Sequence, residues 1–172
     1  MNDWSGFVER LASTRIGSTF NQYRGSGLRC KRLAEYLEGR ADARFVLVGE
    51  AAGYRGTRVS GIPFTSERQL TGTGPGEATA TIVHTVLAEL GLEPKVVLWN
   101  VVPTHPGDAR SNRRPTRSEI VASRTFLDEV VRGRRVVAVG RIAHAVLGGT
   151  YVRHPSHGGA VAFRAGVEAL CT

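Results

Sequence analysis

Short runs of branched apolar residues recur along the chain, and they constrain its fold more than any other feature. Such runs occupy residues 45–49, 95–100 and 135–140, and residues 149–153 form a shorter and weaker fourth. A continuous apolar run of this length, closed by glycine or a polar residue, is typical of a strand that is buried on both faces. We therefore predict four strands that belong to one buried sheet.

Helical patterns separate these runs. Apolar residues at helical spacing predict helices over residues 77–90 and 117–131, and Thr116 with Glu119 forms a capping box that opens the second of them. Further helices are predicted over residues 3–13, 28–38, 141–147 and 160–170. Strands that alternate with helices indicate an α/β fold, here a three-layer α/β/α arrangement around a central, mainly parallel, four-stranded sheet.

Length and composition fit one domain of this kind. The chain has 172 residues and 41% of them are hydrophobic, whereas domains usually have about 100–200 residues. We expect a single domain over residues 1–172, with residues 1–40 as a helical part packed on the sheet. No apolar run approaches the roughly 18 residues of a membrane span, and the acidic N-terminal sequence is unlike a signal peptide. A cytoplasmic monomer that does not contact membranes is the expectation.

The charge of the chain favours a polyanionic partner. Lysine and arginine number 23 against 15 aspartates and glutamates, which gives a net charge of +8. Lys31 and Lys95 are the two lysines in the sequence, so nearly all of these bases are arginines. Because arginine makes planar, bidentate contacts with phosphate, this excess suits nucleic acid. The alternative is that a GC-rich genome favours arginine codons.

Polar and charged side chains follow the predicted strands. Glu50 follows the first strand among glycines, Asn100 ends the second, and His154 follows the fourth. Ligands of open parallel sheets bind outside the carboxyl ends of the strands, so these side chains form a candidate active site. Each has a simpler explanation, because Glu50 could cap a turn, Asn100 could hydrogen-bond a loop, and an isolated histidine is usually a surface residue.

Two other patterns do not indicate a ligand site. Residues 72–76 are rich in glycine but lack the lysine of a phosphate-binding loop and follow no predicted strand, so we expect a turn before a helix. His105, His154 and His157 lack the spacing of a zinc site. Cys30 and Cys171 are too few and too far apart to hold a metal cluster. No metal and no cofactor are therefore expected.

Several segments together resemble the uracil-DNA glycosylase superfamily, over residues 45–170. The block of residues 48–53 resembles the first motif of the family-4 type, with Ala52 in place of the usual proline. In chain order, the other matching segments are residues 61–64, 98–103, 114–120, 137–141 and 154–156. Any one of these segments alone would be a weak signal, whereas all of them in order at strand ends are a strong one.

The resemblance implies a fold and a function. It implies a DNA repair enzyme that hydrolyses the N-glycosidic bond of uracil in DNA, single- or double-stranded. The catalytic residues would be Glu50, which positions or activates water, and His154, which donates to uracil O2. The base would be bound by Phe64, which stacks on it, by Asn100, which reads it, and by the turn residues Gly49, Ala51 and Gly53.

Contacts with DNA are expected along the same rim. The arginines of residues 110–117 lie beyond the second strand and would bind phosphates, although a solvated basic loop is the alternative. Residues 157–159 follow the last motif, at the position where relatives insert a wedge into DNA. The DNA-binding candidates are Tyr54, Arg55, Arg110, Arg113, Arg114, Arg117, Ser156, His157, Gly158 and Gly159.

Two departures from the family keep other functions open. Family-4 members have four cysteines that bind an iron–sulfur cluster, and this chain has only two. Ala51 stands where family-1 relatives have the aspartate that activates water. The alternatives are a glycosylase for hypoxanthine or xanthine and an inactive relative that only binds DNA. A nucleotide-binding protein unrelated to DNA is a more distant possibility.

Overall fold

The computed structural model describes residues 3–170, which form a four-stranded sheet with flanking helices. The strands are β1 (Phe45–Ala51), β2 (Val96–Val102), β3 (Arg135–Val139) and β4 (Thr150–Val152). The α-helices are α1 (Trp4–Ser13), α2 (Gly27–Glu38), α3 (Thr57–Ser60), α4 (Glu67–Thr71), α5 (Ala78–Glu89), α6 (Arg117–Val131), α7 (Arg141–Leu147) and α8 (Ala160–Glu168). A 3₁₀ turn, Glu93–Lys95, precedes β2.

The sheet has the order β2–β1–β3–β4, and every pair of neighbouring strands is parallel. All seven residues of β2 are buried, which requires cover on both faces of the sheet. The structure therefore confirms the predicted α/β fold. The register places Gly49 of β1 opposite Asn100 of β2, so these two residues lie side by side at the carboxyl edge.

The N-terminal helices cover β2, which is an edge strand. The Phe7 ring of α1 packs 5.8 Å from the Trp99 ring of β2 and 5.6 Å from the Phe126 ring of α6. The free edge of β2 is also covered, because the backbone N–H of Leu98 donates to the Tyr36 hydroxyl at 2.7 Å. Burial raises the pKa of Tyr36 to about 12, so this acceptor keeps its proton.

One hydrophobic cluster extends from Trp4 to Val167 and includes residues of every strand. It joins both ends of the described chain to the sheet, although the single-domain organisation of residues 1–172 stays a prediction. Within the part of the chain that the structure describes, no helix is both long enough and apolar enough to cross a membrane.

The predicted elements match the observed ones closely, with two differences. Strands β1 and β2 each continue past the predicted ends, because Ala51 and Val102 still pair. Glu50 and Asn100 therefore lie within strands, near their carboxyl ends, and do not follow them. The short helices α3 and α4 were not predicted, because four or five residues carry too little periodicity to reveal a helix. Residues 72–76 form the predicted turn before α5.

An ion pair fixes the start of α6. The Thr116–Glu119 capping box is present, and the same Glu119 carboxylate accepts two hydrogen bonds from Arg113, at 2.6 and 2.8 Å. Arg113 also donates to the Ser18 hydroxyl at 3.0 Å. Hydrogen bonds from Arg113 and from the Thr116 backbone outweigh the opposing effect of burial and hold the pKa of Glu119 at about 2. This pair ties the basic loop before α6 to the N-terminal segment.

We predict that Glu119→Gln destabilises the fold in a pH-dependent way. The pKa of Glu119 lies below the ordinary value of 4.5, so its contribution is present above pH 4.5 and is lost as the pH falls towards 2. Glu119→Gln should lower the free energy of unfolding by about 1–3 kcal/mol at neutral pH, and by much less at about pH 2.5.

Urea unfolding of both proteins at the two pH values measures this difference. Glu129→Gln is the matched control, since Glu129 also takes two hydrogen bonds from one arginine, Arg10, but on the surface. That variant should change stability by less than about 1 kcal/mol. An equal loss at both pH values for Glu119→Gln would contradict the assigned charge state.

Candidate active site

A cleft of about 390 Å³ opens at the carboxyl edge of the sheet, where the side chains that follow three strands meet. Ten residues predicted from the sequence line it. They are Glu50, Ala51, Gly53, Phe64, Asn100, Arg113, Arg114, His154, Ser156 and His157. Thr57, Glu77, Thr79 and Asn112 line it as well and were not predicted.

Phe64 and Asn100 line the cleft next to each other, beside Gly49. The Phe64 ring lies so close to Gly49 that a Cβ atom there would overlap it, and that atom would also lie 3.1 Å from Asn100 Oδ1. Gly49 does not itself line the cleft, but its missing side chain is what lets the ring and the amide come together. An aromatic face beside a carboxamide is an arrangement that suits a planar heterocycle.

The backbone of Phe64 is held in an unusual conformation. Its φ is 51°, in the left-handed region that a bulky residue rarely adopts. Neighbouring hydrogen bonds fix it, since the Ser60 hydroxyl donates to Thr65 O at 2.6 Å and accepts from the Ile62 N–H at 3.0 Å. A strained residue of this kind persists only when its surroundings over-determine it, and such residues cluster at ligand sites.

Asn100 has an unused hydrogen-bond donor. The residue is 3% exposed, and its Nδ2 is buried without a hydrogen-bond partner among residues 3–170. Leaving a buried donor unpaired costs about 1–3 kcal/mol, so native structures rarely keep one without a reason. A carbonyl oxygen of a bound ligand would supply the missing acceptor.

His154 presents a single defined donor to the cleft. Its Nδ1 accepts from the Ser156 backbone N–H at 3.2 Å and lies 2.7 Å from the Ser156 hydroxyl. Since Nδ1 is an acceptor, the proton of the neutral ring sits on Nε2. Burial, and then the nearby His157, lower the pKa of His154, which favours the neutral form. The ring packs beside Gly140, where a Cβ atom would lie 3.2 Å from His154 Cβ.

The turn after Ser156 has little freedom. His157 has a φ of 52° and Gly158 a φ of 75°. Gly159 has no room for a side chain, because a Cβ atom there would lie 3.0 Å from Ser156 O. The glycines at 158 and 159 are thus explained by the turn itself, and the turn places the exposed His157 side chain at the mouth of the cleft.

Two carboxylates line the cleft. Burial raises the pKa of Glu50 above its usual range, and the charge of Arg114 opposes that effect. Burial also raises the pKa of Glu77. Glu77 stands at the N-cap position of α5 but makes no capping hydrogen bond with its side chain, and lies instead against Gly53 and Gly56. In the sequence it is the first residue of the predicted helix over residues 77–90 and belongs to no motif, which is why it was missed.

The basic loop, residues 106–116, is fastened to the first motif. Asn112 Oδ1 accepts from the Tyr54 N–H at 3.0 Å. The buried His105 bridges the same two regions, with Nδ1 2.7 Å from Ala52 O and Nε2 2.7 Å from Asp108 O. These contacts fix the position of the loop relative to the carboxyl end of β1.

Some of the predicted DNA-binding residues line the cleft, and others lie outside its lining. Arg113 lines the cleft, but its guanidinium is held by Glu119 and Ser18, so most of its donors are already used. Arg114 lines the cleft with its charge towards Glu50. The structure does not bring Tyr54, Arg55, Arg110, Arg117, Gly158 or Gly159 into the cleft lining, and leaves them outside it.

No group of three or more histidine, cysteine, aspartate or glutamate side chains within residues 3–170 is placed to hold a metal ion. Cys30 is a free thiol, and Cys171 lies outside the described residues.

Comparisons with known proteins identify a family and, separately, a similar fold. The profile of the uracil DNA glycosylase superfamily matches residues 37–167, a span that contains all four strands and the whole cleft. The crystal structure of wild-type Pedobacter heparinus SMUG2 is similar, with a TM-score of 0.68 and 12% sequence identity over 99% of each chain. That similarity shows a shared fold. Among curated proteins, none has a matching sequence.

We predict that His154 titrates below the ordinary histidine value of 6.5 and is neutral at neutral pH, with its proton on Nε2. ¹⁵N-detected NMR of the imidazole rings, followed against pH, measures both the midpoint and the tautomer. Ser156→Ala should weaken the preference for the Nε2–H tautomer, because the hydroxyl contact at Nδ1 is lost. A midpoint above 6.5, or an Nδ1–H tautomer in the parent protein, would contradict this arrangement.

Proposed function

The chain belongs to the uracil DNA glycosylase superfamily, a family of DNA glycosylases, and we propose that its substrate is uracil in DNA. In this proposal the enzyme hydrolyses the bond between the base and C1′ of deoxyribose, as a step of base-excision repair. A cytoplasmic monomer remains our expectation.

The unpaired amide of Asn100 is the observation that carries the proposal. Its Nδ2 needs an acceptor and its Oδ1 can accept, so the side chain matches a base edge with a carbonyl next to an N–H. Uracil has that edge at O4 and N3–H. Cytosine has an amino group and an unprotonated ring nitrogen at the same positions, and would leave buried groups unpaired at a cost of about 1–3 kcal/mol each.

Departure of the base is supported by His154. As the glycosidic bond breaks, the electron pair stays on the base and negative charge develops on O2. A neutral imidazole in the cleft lining, with its proton on Nε2, stabilises that charge, and the Ser156 contacts to Nδ1 keep the ring in the required tautomer. The Phe64 ring supplies the stacking face for the base.

Glu50 acts on the sugar side. The sugar left behind has oxocarbenium character, and a carboxylate at the edge of β1 stabilises this positive charge and positions the incoming water. Arg114 keeps Glu50 ionised by opposing the effect of its burial. Gly49 makes room for the Phe64 ring that stacks on the base, and Ala51 and Gly53 line the cleft beside it.

DNA would be bound at the mouth of the cleft. Arg110, Arg114 and Arg117 are exposed along one loop and are the best-placed residues for phosphate contacts, whereas Arg113 holds that loop in position. The DNA-binding surface would be completed by Tyr54, Arg55 and the turn at Ser156–Gly159. These residues lie close in the sequence to residues that line the cleft. The target base must leave the duplex to enter the cleft, which costs a few kcal/mol.

A deaminated purine is the second candidate substrate. Hypoxanthine and xanthine present a carbonyl next to an N–H on their pairing edge, as uracil does, so Asn100 would read them in the same way. The cleft volume of about 390 Å³ leaves space for a second ring.

We predict that Asn100→Ala and Asn100→Asp both lose uracil excision by at least about 10²-fold, since each removes the amide donor from a buried site. Asn100→Asp may be tested in addition for slow release of cytosine, because a carboxylate accepts from its amino group. Single-turnover release of uracil and cytosine by the three proteins measures both effects.

Binding to DNA serves as a control and should stay close to the parent value. Thermal unfolding measures how much stability is lost, since Asn100→Asp places a carboxylate at a buried position. Uracil excision at the parent rate in both variants would show that Asn100 does not read the base. The pocket assignment would then be wrong.

A further inference from the structure

Glu77 enters the cleft from an element that none of the sequence motifs includes. Two glycines make room for it, because a side chain at Gly53 or Gly56 would collide with its carboxylate. The Gly53 Cβ position lies 2.7 Å from Glu77 Oε1. The turn after β1 is therefore shaped around this carboxylate, and both Gly53 and Glu77 line the cleft.

The Glu77 carboxylate has no charge partner. Over residues 3–170 it accepts no hydrogen bond and takes part in no ion pair, although the cleft holds two arginines. Burial raises its pKa, with no opposing cation as a cause. Glu50 differs in this respect, because Arg114 offsets its burial. Even a partly buried carboxylate without a compensating charge destabilises a fold, and such groups are found where their reactivity is used.

The surroundings of Glu77 contain few groups that could neutralise it. The other charged or titratable residues that line the same cleft are Glu50, Arg113, Arg114, His154 and His157. A shallower depression on the other side of Glu77 adds Arg55 and Arg68. Arg113 is committed to Glu119 and Arg68 donates to Gly74 O. Glu77 thus keeps the basicity of a poorly solvated carboxylate.

We propose that Glu77 is a further catalytic residue, which accepts the proton of the attacking water, in an inference that rests on the proposed glycosylase function. The oxygen of the water forms a bond to C1′ while the bond from C1′ to the base breaks and its electron pair leaves with the base. One proton of the water passes to the Glu77 carboxylate. Glu50 is then left to stabilise the sugar cation, so the two carboxylates divide the work that a single aspartate would otherwise do.

Single-turnover excision by Glu77→Gln tests this assignment. The amide keeps the size of the side chain and cannot accept the proton, so the rate should fall by about 10²–10⁴-fold. DNA binding and the temperature of unfolding should not fall, because no contact that stabilises the fold is lost. Glu35→Gln is the matched control, since Glu35 is an exposed carboxylate on α2 paired only with Lys31, and it should excise at the parent rate.

The pH profile separates proton acceptance from a structural role. In the parent protein the rate should rise with pH as Glu77 loses its proton, with a midpoint above the ordinary carboxyl value of 4.5. Glu50→Gln should keep this rise at a lower overall rate, whereas Glu77→Gln should lose the part of the rise that Glu77 contributes and keep the part that comes from Glu50 and His154. Formate added to Glu77→Ala should restore part of the rate, because a small carboxylate can occupy the vacated space.

Several outcomes would overturn the inference. Excision by Glu77→Gln within about threefold of the parent would show that Glu77 takes no proton. A rate loss that is equal at every pH and accompanied by weaker folding would show that the carboxylate only supports the turn at Gly53–Gly56. If the parent protein itself released no base from any lesion, the proposed function would fail first and this inference with it.

Discussion

The parallel pairing of β1 with β2 is the constraint on which the rest of the structure depends. Its register sets Gly49 beside Asn100, and the absence of a side chain at Gly49 lets the Phe64 ring lie against the strand. A shift of one residue would turn Asn100 to the opposite face of the sheet and remove the recognition group from the cleft. The complete burial of β2 fixes that register. If β2 shifted along β1, its apolar side chains would become exposed or would enter positions too small for them.

Near this pair of strands, some polar side-chain groups have no hydrogen-bond or charge partner among residues 3–170. Asn100 Nδ2 is buried without an acceptor, and the partly buried Glu77 carboxylate has no cation partner among residues 3–170. Arg113 and Glu119, by contrast, are joined by two hydrogen bonds. Asn100 and Glu77 both line the cleft, where a ligand and a reacting water would complete them.

The sequence predicted the sheet and most of the cleft, because apolar runs reveal buried strands and ligands bind at strand ends. It could not show that β1 and β2 extend past their apolar runs, since Glu50 and Ala51 are kept in the strand by pairing with β2. The sequence also could not show which arginine side chains are available to bind DNA. Arg113 is engaged by Glu119, and the burial of Glu119 arises only in the folded chain. Glu77 was missed for a similar reason, as its contacts with Gly53 and Gly56 are tertiary.

The most direct test of the central claim is a panel of oligonucleotides that each carry one altered base, incubated with the unmodified protein without added metal. Uracil, hypoxanthine and xanthine are compared with ordinary bases, in single and double strands, and the free base and the abasic site are both quantified. The account predicts release of uracil with formation of an equal amount of abasic sites, and none from cytosine. Tight binding to these strands with no base released from any of them would contradict it.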